Sequence, residues 1–338
     1  MAKLFHYKVV NDLFGDPVVF VRLLWKSRAF LFDIGDIRKL NFSELLKVTD
    51  VFVTHTHIDH FIGFDQLLRA ILRRDKPLRV FGPENIIECV EGKLKSYTWN
   101  LVSDYPLSIE VYAISERDIK KATFNAWENF RVKEFEVQKR YDEAILKESE
   151  FQVKAQILSH GIPVVAYCIE EEFHINIDKE ALKNSGLSVG PWLSNLKTLI
   201  KKYYKYDPEK NLIQKEENQE KIKVETPAGA FTVEELFKIL KIKKGEKISY
   251  VMDVTPTEDN IEKIINFVKN SDILFCEAYF LESDRNKALE RNHLTTFDTG
   301  RIARQAAVKE LIILHVSPKY INNPSKVYEE VELSKRGH

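Results

Sequence analysis

The segment Thr54-His55-Thr56-His57-Ile58-Asp59-His60 sets three imidazoles and a carboxylate within six consecutive positions. In an extended stretch, residues two apart project to the same side, so His55 and His57 can share one cation. A turn into the helix expected near Phe61 points Asp59 and His60 away from that cation and toward a second. His160, Asp253 and His315, far along the chain, each follow a short apolar run. A bridging Asp253 together with His160 and His315 would complete two sites rich in nitrogen and oxygen. Such donors without thiolate suit Zn²⁺, with Mn²⁺ or Fe²⁺ as the alternatives. Two divalent ions ~3.5–4 Å apart generate hydroxide at neutral pH and stabilise both oxygens of a phosphoester displacement. A lone histidine at a strand end is more often a satisfied polar residue, and Asp253 alone reads almost as well as a helix cap. HxHxDH after a hydrophobic strand is a far rarer coincidence. His6, His174 and His338 match nothing and are expected at the surface.

These groups need elements to carry them. Val51-Phe52-Val53 precedes the histidine segment, and Phe61, Phe64, Leu68, Ile71 and Leu72 follow it with a helical period. Phe151, Val153, Ala155 and Ile157 alternate toward Ser159-His160 as a strand does. Ile248 to Met252 leads to Asp253, Ile273 to Cys276 leads to Glu277, and Leu311 to Leu314 leads to His315. The carboxyl ends of strands form the ligand face of an α/β sheet, so these side chains should converge on one pocket. Thr255, Pro256 and Glu258 predict a helix start with Thr255 as N-cap. Strand and helix alternating over the last hundred residues indicate a layered α/β fold. The reading is one domain over 1–338, with a helical insertion at 116–145 and an inserted arm at 170–245. Within the arm, 195–225 is rich in Lys and Glu and reads as solvated. Lys197, Lys201, Lys202 and Lys205 beside Tyr203 and Tyr204 suit an RNA backbone and its bases. With Glu216, Glu217 and Glu220 close by, a solvated helix face fits those lysines equally well.

Composition narrows the classes. Among 338 residues, 44% are hydrophobic and 11% aromatic, which excludes intrinsic disorder. No apolar run approaches the ~18 residues of a membrane span. The 51 basic and 51 acidic side chains cancel, so nucleic-acid binding would need a local patch. Cys89, Cys168 and Cys276 lie far apart in apolar surroundings without any CxxC, as expected of reduced thiols packed in a cytoplasmic protein.

The HxHxDH segment resembles the metallo-β-lactamase superfamily, and the remaining motifs resemble its ribonuclease Z family. Ser159-His160-Gly161-Ile162-Pro163, running into a strand, is similar to that family's third ligand motif. Ser185 to Trp192 is similar to its Gly-Pro stretch at the substrate arm. Cys276-Glu277-Ala278-Tyr279-Phe280 looks like its His-Glu-Ala-Thr-Phe, and Asn292-His293-Leu294-Thr295-Thr296 resembles its His-Ser-Thr. Leu314-His315-Val316-Ser317-Pro318-Lys319-Tyr320 resembles its Thr-His-Phe-Ser-Pro-Arg-Tyr. The matches run in family order from about residue 50 to 320.

The resemblance implies an αββα sandwich with an inserted arm. It also implies two divalent ions, ligated by His55, His57, Asp59, His60, His160, Asp253 and His315. Asp59 would orient or deprotonate the attacking water. Glu277 would hold His293 protonated, ready to donate to a leaving 3′ oxygen. The implied activity is endonucleolytic removal of 3′ trailers from precursor tRNA by a homodimer. Three stretches depart from the pattern. They are Asn11 to Asp16, the loop Phe32-Asp33-Ile34-Gly35-Asp36-Ile37, and Val251-Met252-Asp253-Val254, where the family has Ser-Gly-Asp-Thr. These departures keep open a hydrolase of a small ester or cyclic phosphodiester.

Overall fold

The computed structural model describes residues 4–24, 26–133, 135–207, 212–215 and 222–337. The chain forms two compact units. The larger comprises Phe5–Ile145, Lys154–Cys168 and the chain from Ile248 onward, and the smaller comprises Leu146–Val153 and Ile169–Lys247.

Two large sheets carry the fold. The first has eight strands, in the order Phe5–Val9, Val19–Leu23, Ala29–Phe32, Val48–Phe52, Leu78–Pro83, Ser108–Ile114, Asp118–Asn125, Glu136–Lys139. Its four central strands, from Ala29–Phe32 to Ser108–Ile114, run parallel. The second has six, in the order Glu310–Leu314, Ile273–Glu277, Lys247–Val251, Pro163–Glu170, Gln152–Ser159, Ala144–Lys147. Its first three are parallel neighbours. Strands buried on both faces read as unbroken apolar runs, because every residue has a layer to pack into. Along Ala29–Phe32, Ala29 and Leu31 join a cluster with Phe64, Leu67, Ile71 and Val90 of the outer helices. Phe30 and Phe32 point the other way. Phe32 stacks 5.6 Å from Tyr250, and Phe52 lies 5.4 Å from Tyr167, so aromatic rings fill the space between the sheets. On the far side, Val251, Leu274 and Cys276 pack against Ile261, Ile264, Ile302 and Ala303 of the helices Glu258–Phe267 and Thr296–Gln305. The layers are helix, sheet, sheet, helix.

Three local expectations change. The described residues of 116–145 form no α-helix. They form the strands Asp118–Asn125 and Glu136–Lys139, begin Ala144–Lys147, and hold one short 3-10 turn, Ala126–Glu128. Ser115 makes the hairpin, its hydroxyl accepting from the amides of Arg117 and Asp118, and buried Ala122 and Phe124 alternate with Lys121 and Thr123. The helix expected to be capped by Thr255 starts later, at Glu258, with Thr257 as its N-cap. Thr255 is occupied elsewhere, its hydroxyl donating to Asn292 and its amide to Ser159.

The smaller unit spans much of the stretch read as an arm, but it has a core of its own. The helix Trp192–Tyr203 buries Trp192, Leu193, Leu196 and Ile200 along one face, against Val224 and Leu236. Antiparallel pairs, Phe173–Ile177 with Leu240–Lys244 and Lys223–Thr226 with Gly229–Thr232, frame that core. Apolar residues four apart on a lysine-rich helix suffice to build it. Lys201 turns inward, 2.8 Å from buried Glu171, and Tyr204 donates to Glu234, so neither serves as a surface contact. Glu216, Glu217 and Glu220 lie outside the described residues.

Candidate metal centre

Four strand ends in the larger unit, with the short helix after the first of them, carry the donors. His55 and His57 follow Val48–Phe52, and Asp59 and His60 sit on the short helix Ile58–Phe61. His160 follows Gln152–Ser159, Asp253 follows Lys247–Val251, and His315 follows Glu310–Leu314. Three of the corners need left-handed backbone. Asp33, Asp253 and His315 have φ of 53°, 51° and 51°, a region non-glycine residues occupy at a cost.

Asp253 is the centre of the cluster. Its Oδ2 lies 3.6 Å from His55 Nε2, 3.5 Å from His60 Nε2 and 3.6 Å from His160 Nε2. Its Oδ1 lies 2.6 Å from His315 Nδ1. His55, His57, His160 and Asp253 form one group able to hold a cation, and Asp59, His60 and His315 form another. Asp253 also groups with Glu277, His293 and His315. All seven residues singled out by sequence therefore meet at one place.

Partners behind the imidazoles decide which nitrogen faces the centre. Buried Asp33 takes the Nδ1 proton of His60 at 2.8 Å. The backbone oxygen of Asn292 takes that of His160 at 2.7 Å, and Thr54 Oγ1 lies 3.1 Å from His55 Nδ1. Nε2 of each ring is left pointing at Asp253. His55 Nε2 and His60 Nε2 are buried and make no hydrogen bond, which costs about 1–3 kcal/mol per group unless a ligand binds there. Buried imidazole lone pairs around a shared carboxylate fit divalent cations well.

The electrostatics divide the histidines. Burial and the neighbouring His60 push His55 down to about 2, so it stays neutral. Burial would lower His60 as well, but Asp253 and Asp33 overcome it and raise it to about 10. His315 is likewise raised despite burial, by Asp253 and Asp59. For Asp59, burial is outweighed by the His315 hydrogen bond and the His60 charge, and its carboxyl stays ionised.

Glu277 and His293 stand beside this cluster. His293 Nδ1 lies 2.8 Å from Glu277 Oε2, while Glu277 Oε1 accepts from the Val254 amide at 2.6 Å. Burial lowers His293, but the Glu277 charge and hydrogen bond win, and the net shift is upward. Tyr279 lies flat against His293, with centroids 4.0 Å apart and planes at 12°.

Two important groups escaped the sequence reading. Asp33 was visible only as part of a departing loop, and its signal was an acid directly after a four-residue apolar strand. Tyr279 was visible only as a motif mismatch. Among the unassigned histidines, His6 is exposed, His338 lies outside the described residues, and His174 departs from expectation. It is half-buried, 3.0 Å from Glu171, which also holds Lys201.

The two facing sheets with helices outside, and the donors gathered at their strand ends, define a metallo-β-lactamase fold. The metallo-β-lactamase fold protein YhfI from Bacillus subtilis superposes with a TM-score of 0.53 at 13% identity, covering 97% of this chain and 91% of that one. Human tRNase Z, short form, superposes at 0.52 and 16% identity, covering 92% and 90%. No family model matches the chain. The ribonuclease Z of Methanocaldococcus jannaschii is 30% identical over 302 residues, 87% of this chain and 78% of that protein. The chain belongs to the ribonuclease Z family.

Proposed function

We propose that the protein is a metal-dependent endoribonuclease that cuts 3′ trailers from precursor tRNA. The observation that carries this reading is the gathering of six nitrogen and oxygen donors around Asp253, with the Glu277–His293 pair beside them. Ribonuclease Z as the name of a 30%-identical relative supports the RNA substrate over a small ester.

His55, His57, His160 and Asp253 would hold one cation, and Asp59, His60, His315 and Asp253 the second. With imidazole and carboxylate donors alone, Zn²⁺ is the expected metal. Bound there, the ions supply positive charge beside the phosphate and lower the pKa of water. Asp59, kept ionised, orients the attacking water and accepts its proton. His293, held protonated by Glu277, faces the leaving side and donates to the departing 3′ oxygen. Glu277 is itself fixed by the Val254 amide, so the group that holds His293 Nδ1 does not move. A homodimer in the cytoplasm completes the proposal, and three free cysteines, two of them buried, fit a reducing compartment.

The test is incubation of the purified protein with precursor tRNA and with bis(p-nitrophenyl) phosphate, each with and without chelator. Chelator-sensitive release of a 3′ trailer is the expected result. Hydrolysis of the small diester with no cut in precursor tRNA would overturn the RNA assignment.

A further inference from the structure

We propose that Tyr279 is a positioning residue: its ring lies against the His293 imidazole and fixes the direction in which that imidazole offers its proton. The inference rests on His293 being the proton donor. A histidine held at one nitrogen can still rotate, because its ring torsion is broad and only weakly restrained. Glu277 fixes Nδ1 of His293 in the ring plane, at 2.8 Å. Tyr279 supplies the face-on restraint perpendicular to that plane, through near-parallel contact at 4.0 Å, while the His160 ring meets His293 at a steep angle, 4.8 Å away. The two restraints come from one short segment, two residues apart, at the end of the strand Ile273–Glu277 and just beyond it.

That segment is itself pinned. The Tyr279 carbonyl accepts from the Ser317 amide at 3.0 Å, and the next residue, Phe280, bonds on both sides to the segment after His293. The Phe280 amide donates to Leu294, and the Phe280 carbonyl accepts from Thr296. The tyrosine backbone and the histidine loop are thus tied together, and the ring contact closes the arrangement. The ring also meets His315 edge-on at 5.1 Å, so it touches both the donor and one member of the cluster. A threonine, which the family motif quoted above has at this position, offers no ring and cannot make this contact.

The test compares Tyr279→Thr and Tyr279→Phe with the parent on two substrates. In precursor tRNA cleavage, Tyr279→Thr should lower kcat by about 10–100-fold with little change in KM, as misdirected catalytic groups do. Tyr279→Phe, which keeps the ring, should restore most of that rate. Hydrolysis of bis(p-nitrophenyl) phosphate should fall far less, because p-nitrophenolate leaves without needing a proton. Metal content should match the parent, and a crystal structure of the metal-free threonine variant should show His293 rotated off Glu277. Equal losses on both substrates, loss of metal, or an undiminished tRNA rate would each overturn the assignment. His293→Ala separates the two layers. If it is inactive on tRNA while Tyr279→Thr is unimpaired, only the role of Tyr279 fails. If His293→Ala itself cuts tRNA normally, the donor assignment fails and takes this inference with it.

Discussion

Asp33 and His60 meet at 2.8 Å, carboxylate against Nδ1, both sealed from solvent. The same carboxylate accepts from the Thr54 amide at 2.7 Å, the Thr54 hydroxyl at 3.0 Å and the Tyr250 phenol at 2.9 Å. So many donors hold it rigid, and through it Nε2 of His60 is aimed at the centre. Asp33→Asn should weaken binding of the second cation by about 10–100-fold. Competition with a chromophoric chelator would measure it. An unaltered affinity at both sites would refute the idea that Asp33 orients His60.

Asp59 and His293 should fail differently. Loss of a general acid typically costs ~10²–10⁴ in rate. His293→Ala should lose that much on precursor tRNA while elemental analysis finds normal metal. Asp59→Ala should lose both rate and part of the metal. Rapid trailer removal by His293→Ala would exclude it as donor.

Protons should leave when metal enters. His60, raised to about 10, and His315, also raised, are charged in the metal-free protein at neutral pH. Cation binding must displace those protons, so affinity should climb as pH rises from 6 to 9. Calorimetry in buffers of different ionisation enthalpy counts the protons released. A pH-independent affinity with no proton release would contradict the charge assignment.

The same shifts give the metal-free protein a stability maximum. A raised histidine stabilises the fold below its unfolded value of about 6.5, and that contribution fades as pH rises through about 10 for His60. His55, depressed to about 2, works in reverse: below about 6.5 the unfolded chain binds a proton the folded one refuses. Urea midpoints of the apoprotein should therefore decline on both sides of about pH 6.5. A monotonic rise from pH 5 to 9 would be the contrary outcome.

Salt distinguishes RNA from a small diester. If about four phosphates are contacted, affinity for precursor tRNA should drop by ~10²-fold between about 50 and 200 mM salt. KM for bis(p-nitrophenyl) phosphate should barely move over that range. Filter binding and steady-state kinetics give the two curves, and a flat tRNA response would point away from RNA.

The sequence made the donors legible because each follows an apolar strand, and parallel strands buried on both faces are conspicuous as unbroken hydrophobic runs. Val51-Phe52-Val53 before His55 and Leu311 to Leu314 before His315 are of this kind. Asp33 follows such a run too, yet it was hidden because its role is to hold another ligand, and nothing local distinguishes that from a loop acid. The strand Asp118–Asn125 was missed because Lys120 and Lys121 dilute an alternation carried only by Ala122 and Phe124. The small unit's core was missed for a related reason. Trp192, Leu196 and Ile200 lie four apart, but Lys197, Lys201 and Lys202 and the Lys/Glu-rich stretch after them dominate the composition.

The left-handed corners at Asp33, Asp253 and His315 bear on how this scaffold can change. Glycine would sit in each without the roughly 1–2 kcal/mol that a side chain pays there. Relieving the strain by glycine would strip away a carboxylate or imidazole on which buried neighbours depend, so the strained backbone persists for the sake of the groups it presents.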